Sequence, residues 1–138
     1  MVSGPPWSIA TKRKPSDAEL AALKFAWTAC KPVRSNAIVL SDRVTTVGIG
    51  AGQMSRIDSV NIAGEKYAAY LKKNDKPRVL VMSSDAFFPF SDCVERAAAI
   101  GVTAIVQPGG SIKDAESVDA ANRHDMAMML TGMRHFRH

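Results

Sequence analysis

The segment RVLVMSSDAFFPFSDCVERAAAIG, residues 78–101, decides the class of fold. Its apolar start, Arg78–Ser83, predicts a short buried strand, and Asp92–Ile100 predicts a helix that Gly101 closes in the left-handed conformation. Three phenylalanines and a proline lie between them, and proline disfavours both a central strand and a helix interior. The segment is therefore a strand, an aromatic loop and a helix.

The rest of the chain repeats this alternation of strands and helices. Ser16 and Glu19 form a capping box ahead of apolar residues at helical spacing, which predicts a helix over Asp17–Cys30. Residues 36–40 and 44–50 flank the turn sequence SDR and predict a hairpin. The remaining predicted elements are a helix from Ile57 to about Asn74, a strand over 102–107, a helix from PGGS at 108–111 to about His124, and a strand over 126–130.

This order of elements predicts an α/β fold. Strands separated by helices imply right-handed crossovers and a largely parallel sheet that helices cover on both faces. The sheet and its helices make a single domain over residues 15–138, which follows an extended N-terminal arm, residues 1–14.

Composition narrows the class of protein. The chain has 138 residues, 46% hydrophobic and 22% charged, which is typical of an ordinary globular domain. It contains no apolar run near the roughly 20 residues that cross a bilayer, and its N-terminus lacks the apolar core of a secretion signal. Cys30 and Cys93 have no metal-ligand spacing, so we expect two small buried apolar side chains and a cytoplasmic protein. The net charge of +5 favours anionic partners, either nucleic acid or small phosphorylated or carboxylated ligands.

Four polar or aromatic clusters follow predicted strands. Ligands of such sheets bind beyond the carboxyl ends of the strands, where we expect the clusters to converge. The clusters are GAGQMSR at 50–56, SDAFFPF at 84–90, QPGGS at 107–111 and TGMRHF at 131–136.

The two glycine-rich clusters each have two interpretations. The glycines at 48, 50 and 52 either let backbone approach a ligand, with Arg56 holding an anion near a helix start, or simply form a tight strand-to-helix connection. Their spacing is not that of the dinucleotide-binding fingerprint. The QPGGS cluster is either a turn capped by Ser111 or a set of amides that binds a carboxylate or a pterin edge.

The aromatic loop and the residues around the other strand ends are equally open. Phe87, Phe88 and Phe90 either form a slot for a flat heterocycle or anchor the loop in the core, and we expect at least one to be purely structural. Asp92 either caps a helix or pairs with the two N–H donors of a guanidine-like ring edge. Asn36 either serves the site or caps a turn, and the basic segment 134–138 is either a frayed tail or part of the site.

Five motifs, in this order along the chain, resemble those of one enzyme family. RSNAIV, VGIGAGQMSR, SDAFFPF, IVQPGGS and TGMRHFRH resemble the C-terminal half of the formyltransferase domain of bifunctional purine-biosynthesis enzymes. Those enzymes join 5-aminoimidazole-4-carboxamide ribonucleotide (AICAR) formyltransferase to IMP cyclohydrolase. The resemblance implies a cytidine-deaminase-like three-layer fold, with a mixed sheet and helices on both faces. The H-x-E and P-C-x-x-C signatures of a zinc deaminase are absent from this chain, so we expect no zinc site.

The resemblance also implies an activity and residues for the nucleotide. The family transfers a formyl group from 10-formyltetrahydrofolate to AICAR, giving FAICAR in de novo purine (IMP) biosynthesis. By resemblance, Asn36 is the catalytic residue that orients or polarises the transfer. Arg56 and Arg134 bind the AICAR nucleotide, and Phe87 packs against its base.

Further residues are implied for the folate and for a cation. The resemblance assigns folate binding to Asp92, Ser111 and the backbone around Ile57 and Ile112. It places a potassium ion, which some family members bind, at Ser35 and Asp85.

Two departures from the family shape the functional hypotheses. Ser91 stands where the family usually has an arginine, and nothing in the chain matches the RHGxNPHQ-like segment that carries the family's catalytic lysine and histidine. One hypothesis is therefore the second half of a split or partial enzyme, inactive without a complementing chain. The alternative is a non-catalytic folate- or nucleotide-binding or regulatory module. The exposed aromatic loop also predicts a homodimer, whereas the clustered aromatics argue against nucleic acid and the apolar runs are too short for a membrane partner.

Overall fold

A computed structural model describes residues 7–132. Within them lie six strands and four helices. The elements are β1 (Ser8–Ile9), α1 (Asp17–Cys30), β2 (Ile38–Ser41), β3 (Thr46–Gly50), α2 (Arg56–Leu71), β4 (Val81–Ser84), α3 (Asp92–Ile100), β5 (Ala104–Gln107), α4 (Asp114–Arg123) and β6 (Ala127–Leu130). No helix among the described residues is both long enough and apolar enough to cross a bilayer.

The helix ends follow the local signals in the sequence. The Ser16 hydroxyl accepts a hydrogen bond from the Glu19 amide at 3.1 Å, and the Ser16 amide donates to Glu19 Oε1 at 2.9 Å. This confirms the capping box and the start of α1. Gly101 ends α3 at a φ of 111°, where its amide donates to the carbonyls of Ala97 and Ala98. A glycine adopts that conformation without steric cost, which confirms the predicted C-cap.

The sheet is mixed. Its strand order is β1-β6-β5-β4-β2-β3, and only β4, β5 and β6 run parallel to one another as neighbours. The β2–β3 hairpin and the β1–β6 and β2–β4 pairs are antiparallel. The predicted α/β class is confirmed, but the expectation of a largely parallel sheet is wrong, because the hairpin inserts β2 against β4 in the opposite direction.

Helices cover both faces of the sheet, as expected. Helix α1 packs on one face and α2, α3 and α4 on the other, and each face has its own apolar cluster. Successive strand residues alternate between the two clusters, as a pleated strand requires. Residues facing α1 include Val39, Val81 and Val106, and residues facing the other helices include Leu40, Met82 and Ile105.

Two glycines of β3 set the position of α2. A Cβ atom at Gly50 would lie 1.9 Å from the Ser59 carbonyl oxygen, and one at Gly48 would lie 2.3 Å from that of Ala63. Only glycine permits so close an approach of helix to strand. The first turn of α2 consequently lies beside the end of β3, and these two glycines serve helix packing.

Helix α4 begins later than predicted. Its first residue is Asp114, whereas the sequence placed the start at PGGS. Gly109 and Gly110 have φ values of 77° and 103°, which a helix does not allow. The Asp114 carboxylate accepts hydrogen bonds from the amides of Gly110 and Ser111, at 2.8 and 3.3 Å, and so holds a turn ahead of the helix.

The segment before α1 is tied to the body of the domain. Of the predicted arm, residues 1–14, the structure describes Trp7 onward, and Ser8–Ile9 pair with β6 at the edge of the sheet. The Arg13 guanidinium makes a two-pronged pair with Glu19 at 2.8 and 2.9 Å. It also donates to the backbone carbonyls of Asp125 and Thr103, each at 2.7 Å. Arg13 therefore joins three segments that are distant in the chain.

Glu19 couples this contact to pH. Burial acts to raise its pKa, but the hydrogen bonds from Arg13, Thr103 and Ser16 and the Arg13 charge outweigh burial and lower the pKa to about 2 from 4.5. A carboxyl group whose pKa is lower in the folded chain stabilises the fold above its ordinary pKa. That contribution is lost as the pH falls from about 4.5 through about 2.

The substitution Glu19→Gln tests this coupling. We expect it to lower the free energy of unfolding at pH 7 by about 1–3 kcal/mol, because the charge-assisted hydrogen bonds to Arg13 weaken. It also flattens the loss of stability between pH 4.5 and 2 in urea denaturation curves. The matched control is Glu116→Gln, which removes an exposed ion pair with Lys113 and leaves stability unchanged. Parallel pH profiles for wild type and Glu19→Gln would contradict the coupling.

Candidate functional site

The predicted convergence of strand ends is confirmed for the described residues. Ile38 at the start of β2 pairs with Gly50 at the end of β3 and with Ser84 at the end of β4. Gln107 at the end of β5 pairs with Leu130 at the end of β6. We call this side of the sheet the carboxyl edge. The loops GAGQMSR, SDAFFPF and QPGGS all leave from it, and the end of the chain after Gly132 lies outside the described residues.

A buried carboxylate, Asp85, organises the carboxyl edge. It follows β4 directly and has no solvent exposure. Its Oδ2 accepts a hydrogen bond from the Ser35 hydroxyl at 2.6 Å, and its Oδ1 accepts one from the Ala37 amide at 3.2 Å. Arg56 Nη1 also donates to Oδ1, which gives the carboxylate a buried cationic partner. The segment before β2 and the first turn of α2 are thus fixed to the end of β4.

Arg56 in turn fixes the side chain of Asn36. Its Nη2 donates to Asn36 Oδ1 at 2.7 Å, while the Asn36 Nδ2 donates to the Gln53 carbonyl at 3.0 Å. The Asn36 carbonyl accepts from the Ser59 hydroxyl at 2.5 Å, next to a cis Ser35–Asn36 peptide bond. The amide oxygen and one N–H of Asn36 are therefore occupied, and the second N–H of Nδ2 remains available to a ligand.

Asn36, Arg56 and Phe87 meet at one cleft of about 400 Å³. The other lining residues are Met54, Ser55, Ala86 and Pro89. Asn36 and Arg56 present hydrogen-bond donors, Phe87 presents an aromatic surface, and the Met54 side chain is 98% exposed. Such a cleft suits a flat polar ring whose substituents accept hydrogen bonds.

The three rings of the aromatic loop have different environments. Phe88 is fully buried in the cluster beneath α2, α3 and α4, which confirms that at least one ring is structural. Phe87 is half-buried and lines the cleft, whereas Phe90 is 59% exposed. The loop therefore uses one ring as an anchor and turns a neighbouring ring toward the cleft.

The residues assigned to the folate do not line this cleft. Asp92 is exposed at the first turn of α3, Ile57 is half-buried at the start of α2, and Ile112 is 97% exposed in the loop after β5. The Ser111 hydroxyl accepts from the Lys113 amide at 3.0 Å, within the turn ahead of α4. All four lie on loops or helix starts of the carboxyl edge. Arg134, assigned to the nucleotide, lies outside the described residues.

The donor set at Ser35 and Asp85 does not fit a potassium ion as it stands. The Ser35 hydroxyl donates to Asp85 Oδ2, and Oδ1 already pairs with Arg56. A hard cation of this kind takes about six to eight oxygen ligands, in the manner of calcium. Among the described residues, no group of three or more histidine, cysteine, aspartate or glutamate side chains is placed to hold a metal. We assign no step to potassium, and its binding stays a prediction.

The two cysteines are structural, as expected. Cys30 and Cys93 are free thiols with no solvent exposure. Burial raises the pKa of each to about 12, and the nearby Asp92 charge adds to the effect at Cys93. Neither is a thiolate near neutral pH, which excludes a nucleophilic role there.

Comparison with known proteins identifies the family. A family model described as the AICARFT/IMPCHase bienzyme matches residues 1–66. The bifunctional purine biosynthesis protein PurH of Elusimicrobium minutum is 59% identical over 132 residues, which cover 96% of this chain. The chain belongs to this bienzyme family. PurH of Nostoc punctiforme and of Streptococcus uberis are 52% and 50% identical to it over the same length.

The match covers only part of the relatives. The chain spans about a quarter of the length of these PurH proteins, 26% of the first and 24% of each of the other two. The similarity therefore assigns the family and supports a place in purine biosynthesis, and the activity of the whole relatives is a separate question.

Sequence reasoning missed several residues of the site. Gln53 and Ser59 orient Asn36 through a backbone carbonyl and a hydroxyl, and Ser84 accepts a hydrogen bond from Arg56 at 3.4 Å. Met54 lines the cleft although it was not singled out. Gln53 and Met54 lie within the GAGQMSR cluster, so treating the whole cluster as candidate site residues would have found them. Ser59 carries no such signal, because serine is common on helices.

Asp85→Asn tests the buried pair. We expect it to lower the free energy of unfolding by about 3–5 kcal/mol in urea denaturation, because it leaves the Arg56 charge buried without a counter-charge. Adding Arg56→Met recovers part of this loss, since the unpaired charge is then gone. The control Asp92→Asn, at an exposed helix start, costs at most about 1 kcal/mol. A cost for Asp85→Asn no larger than that of the control would refute the organising role of Asp85.

Proposed function

We propose that this chain contributes the second half of an AICAR formyltransferase site, in a split or partial enzyme of de novo purine (IMP) biosynthesis. The reaction transfers the formyl group of 10-formyltetrahydrofolate to the 5-amine of AICAR and gives FAICAR. The observation that carries the proposal is the cleft at the carboxyl edge, where Asn36 and Arg56 present donors beside the Phe87 ring. Membership of the bienzyme family supports it.

The chemistry sets what the cleft has to supply. A bond forms between the AICAR 5-amine and the formyl carbon, the bond from that carbon to the folate nitrogen breaks, and one proton moves from the amine to the departing nitrogen. The amine is a weak nucleophile because its lone pair is delocalised toward the carboxamide. A tetrahedral oxyanion develops on the formyl oxygen, and a preoriented N–H donor stabilises it.

Asn36 is the described residue best suited to that donor role. Arg56 and the Gln53 carbonyl hold its amide at both ends, so the remaining N–H points in one direction without further reorganisation. Arg56 acts here as a positioning residue, because three of its N–H groups are engaged by Asp85, Ser84 and Asn36. Nucleotide binding by Arg56 and Arg134, and base packing by Phe87, remain part of the proposal.

The folate would lie across the outer loops of the same edge. The Asp92 carboxylate is exposed and accepts two N–H donors of a pterin ring edge in this proposal. Ser111 and the backbone at Ile57 and Ile112 would hold the rest of the ring. The folate fits the exposed side of the cleft, because the inner side is closed by the network around Asp85.

Proton transfer would come from another chain. No segment of these 138 residues resembles the lysine- and histidine-bearing segment of the family, so we propose a complementing chain and a homodimer as partners. Met54, Phe90 and Ile112 are 98%, 59% and 97% exposed on the loops of the carboxyl edge, which supports contact with another chain there. A cytidine-deaminase-like fold and a cytoplasmic location complete the proposal.

Binding and turnover test the proposal together. By calorimetry we expect the chain to bind AICAR and a folate, and Asp92→Ala to weaken folate binding about tenfold while AICAR binding is unchanged. The matched control is Asp119→Ala, which removes an exposed carboxylate from α4 and alters neither. Equal loss of both ligands on Asp92→Ala would count against its assignment.

The same protein should form no FAICAR from AICAR and 10-formyltetrahydrofolate when it is assayed alone. Turnover by the isolated chain would show that the proton-transfer groups lie within it. Absence of binding to both ligands would contradict the proposed site itself.

A further inference from the structure

The opposite side of the sheet carries a second cleft that the proposed formyltransferase site does not use. We call this side the amino edge, where β2 ends and β4, β5 and β6 begin. The cleft there has a volume of about 590 Å³. It is lined by Ala18, Asp42, Arg43, Val44, Arg78 and Val79. The β2–β3 turn, the connection from α2 to β4 and the start of α1 meet at this point.

Two guanidinium groups of this cleft have no partner among residues 7–132. Arg43 and Arg78 are exposed and make neither a salt bridge nor a side-chain hydrogen bond within that range. Arg13, Arg56 and Arg123 differ, because each pairs with a carboxylate. The amino edge thus carries cationic groups that remain open to a ligand.

The nearest carboxylate does not cancel this charge. Asp42 Oδ1 accepts hydrogen bonds from the amides of Val44 and Thr45, at 2.9 and 2.7 Å, and closes the turn. One carboxylate therefore stands against two guanidinium groups in the lining. The connection from α2 to β4 adds Lys72, Lys73 and Lys76 against Asp75, all exposed.

The cleft also has an apolar side. Val44 is 76% exposed at the tip of the hairpin, and Val79 and Ala18 complete the surface. A fully hydrated inorganic ion gains nothing from such contacts, whereas an organic group does. The lining therefore combines two anion-binding side chains with a surface for an apolar substituent.

We propose that this amino-edge cleft binds a small organic phosphate monoester. Such a group carries close to two negative charges at pH 7, which matches two guanidinium donors better than a single carboxylate does. Arginine binds phosphate oxygens through paired N–H donors, and Arg43 and Arg78 would approach the phosphate from the hairpin and from the start of β4. The apolar part of the ligand lies against Val44 and Val79.

Phenyl phosphate is the probe that tests this proposal, in nuclear magnetic resonance titrations of the labelled chain at constant ionic strength. We expect saturable shifts of the backbone amides at residues 42–45 and 78–80. Benzoate, which has the same ring and a single charge, should bind about tenfold more weakly. Val44→Ser should weaken phenyl phosphate and leave inorganic phosphate unchanged.

Two double variants separate a built site from general attraction to a basic protein. Arg43→Gln with Arg78→Gln should weaken phenyl phosphate about tenfold or more. The control Lys24→Gln with Lys66→Gln removes the same charge from exposed helix positions and should change nothing. Equal weakening in both variants, shifts spread over the basic surface, or shifts confined to Arg56 and Phe87 would each overturn the proposal. These surface substitutions keep the fold, which the dispersion of the same spectra verifies.

Discussion

A carboxylate without solvent exposure, Asp85, is the constraint on which the carboxyl edge depends. An ionised carboxyl group buried alone costs several kcal/mol, so it has to be surrounded by donors and a counter-charge. Arg56 supplies the charge, and the Ser35 hydroxyl and Ala37 amide supply hydrogen bonds. Since these partners lie ahead of β2 and at the start of α2, one buried group fixes three segments that are far apart in the chain.

The value of this pair is geometric more than energetic. At an effective dielectric constant of about 20, two charges 4 Å apart attract by about 4 kcal/mol, which is similar to the cost of removing them from water. The pair therefore adds little net stability, whereas its directional bonds orient the Asn36 amide toward the cleft. The close contact of α2 with Gly48 and Gly50 delivers Arg56 to this place, so backbone packing and site geometry depend on each other.

The sequence predicted the elements well and the contacts less well. The capping box at Ser16 and the glycine at position 101 placed helix ends correctly, because each signal acts within a few residues. Strand order also predicted the shared edge on which the loops meet. The Arg56–Asp85 pair was not predicted, because strand periodicity gives the edge of a sheet and not the partner of a side chain 29 positions away. For the same reason the sequence did not show that Phe88 is the buried ring and Phe87 the one at the cleft.

The most direct test of this account is the nuclear magnetic resonance spectrum of the arginine side chains near neutral pH. The account predicts that the Arg56 Nη protons give separate, slowly exchanging signals, with contacts to the Asn36 amide protons, because the guanidinium is held by Asp85 and Asn36. Arg43, which has no such partner among the described residues, supplies the averaged reference signal. An Arg56 signal averaged like that of Arg43 would show that the guanidinium is not held, and the account of the site would fail.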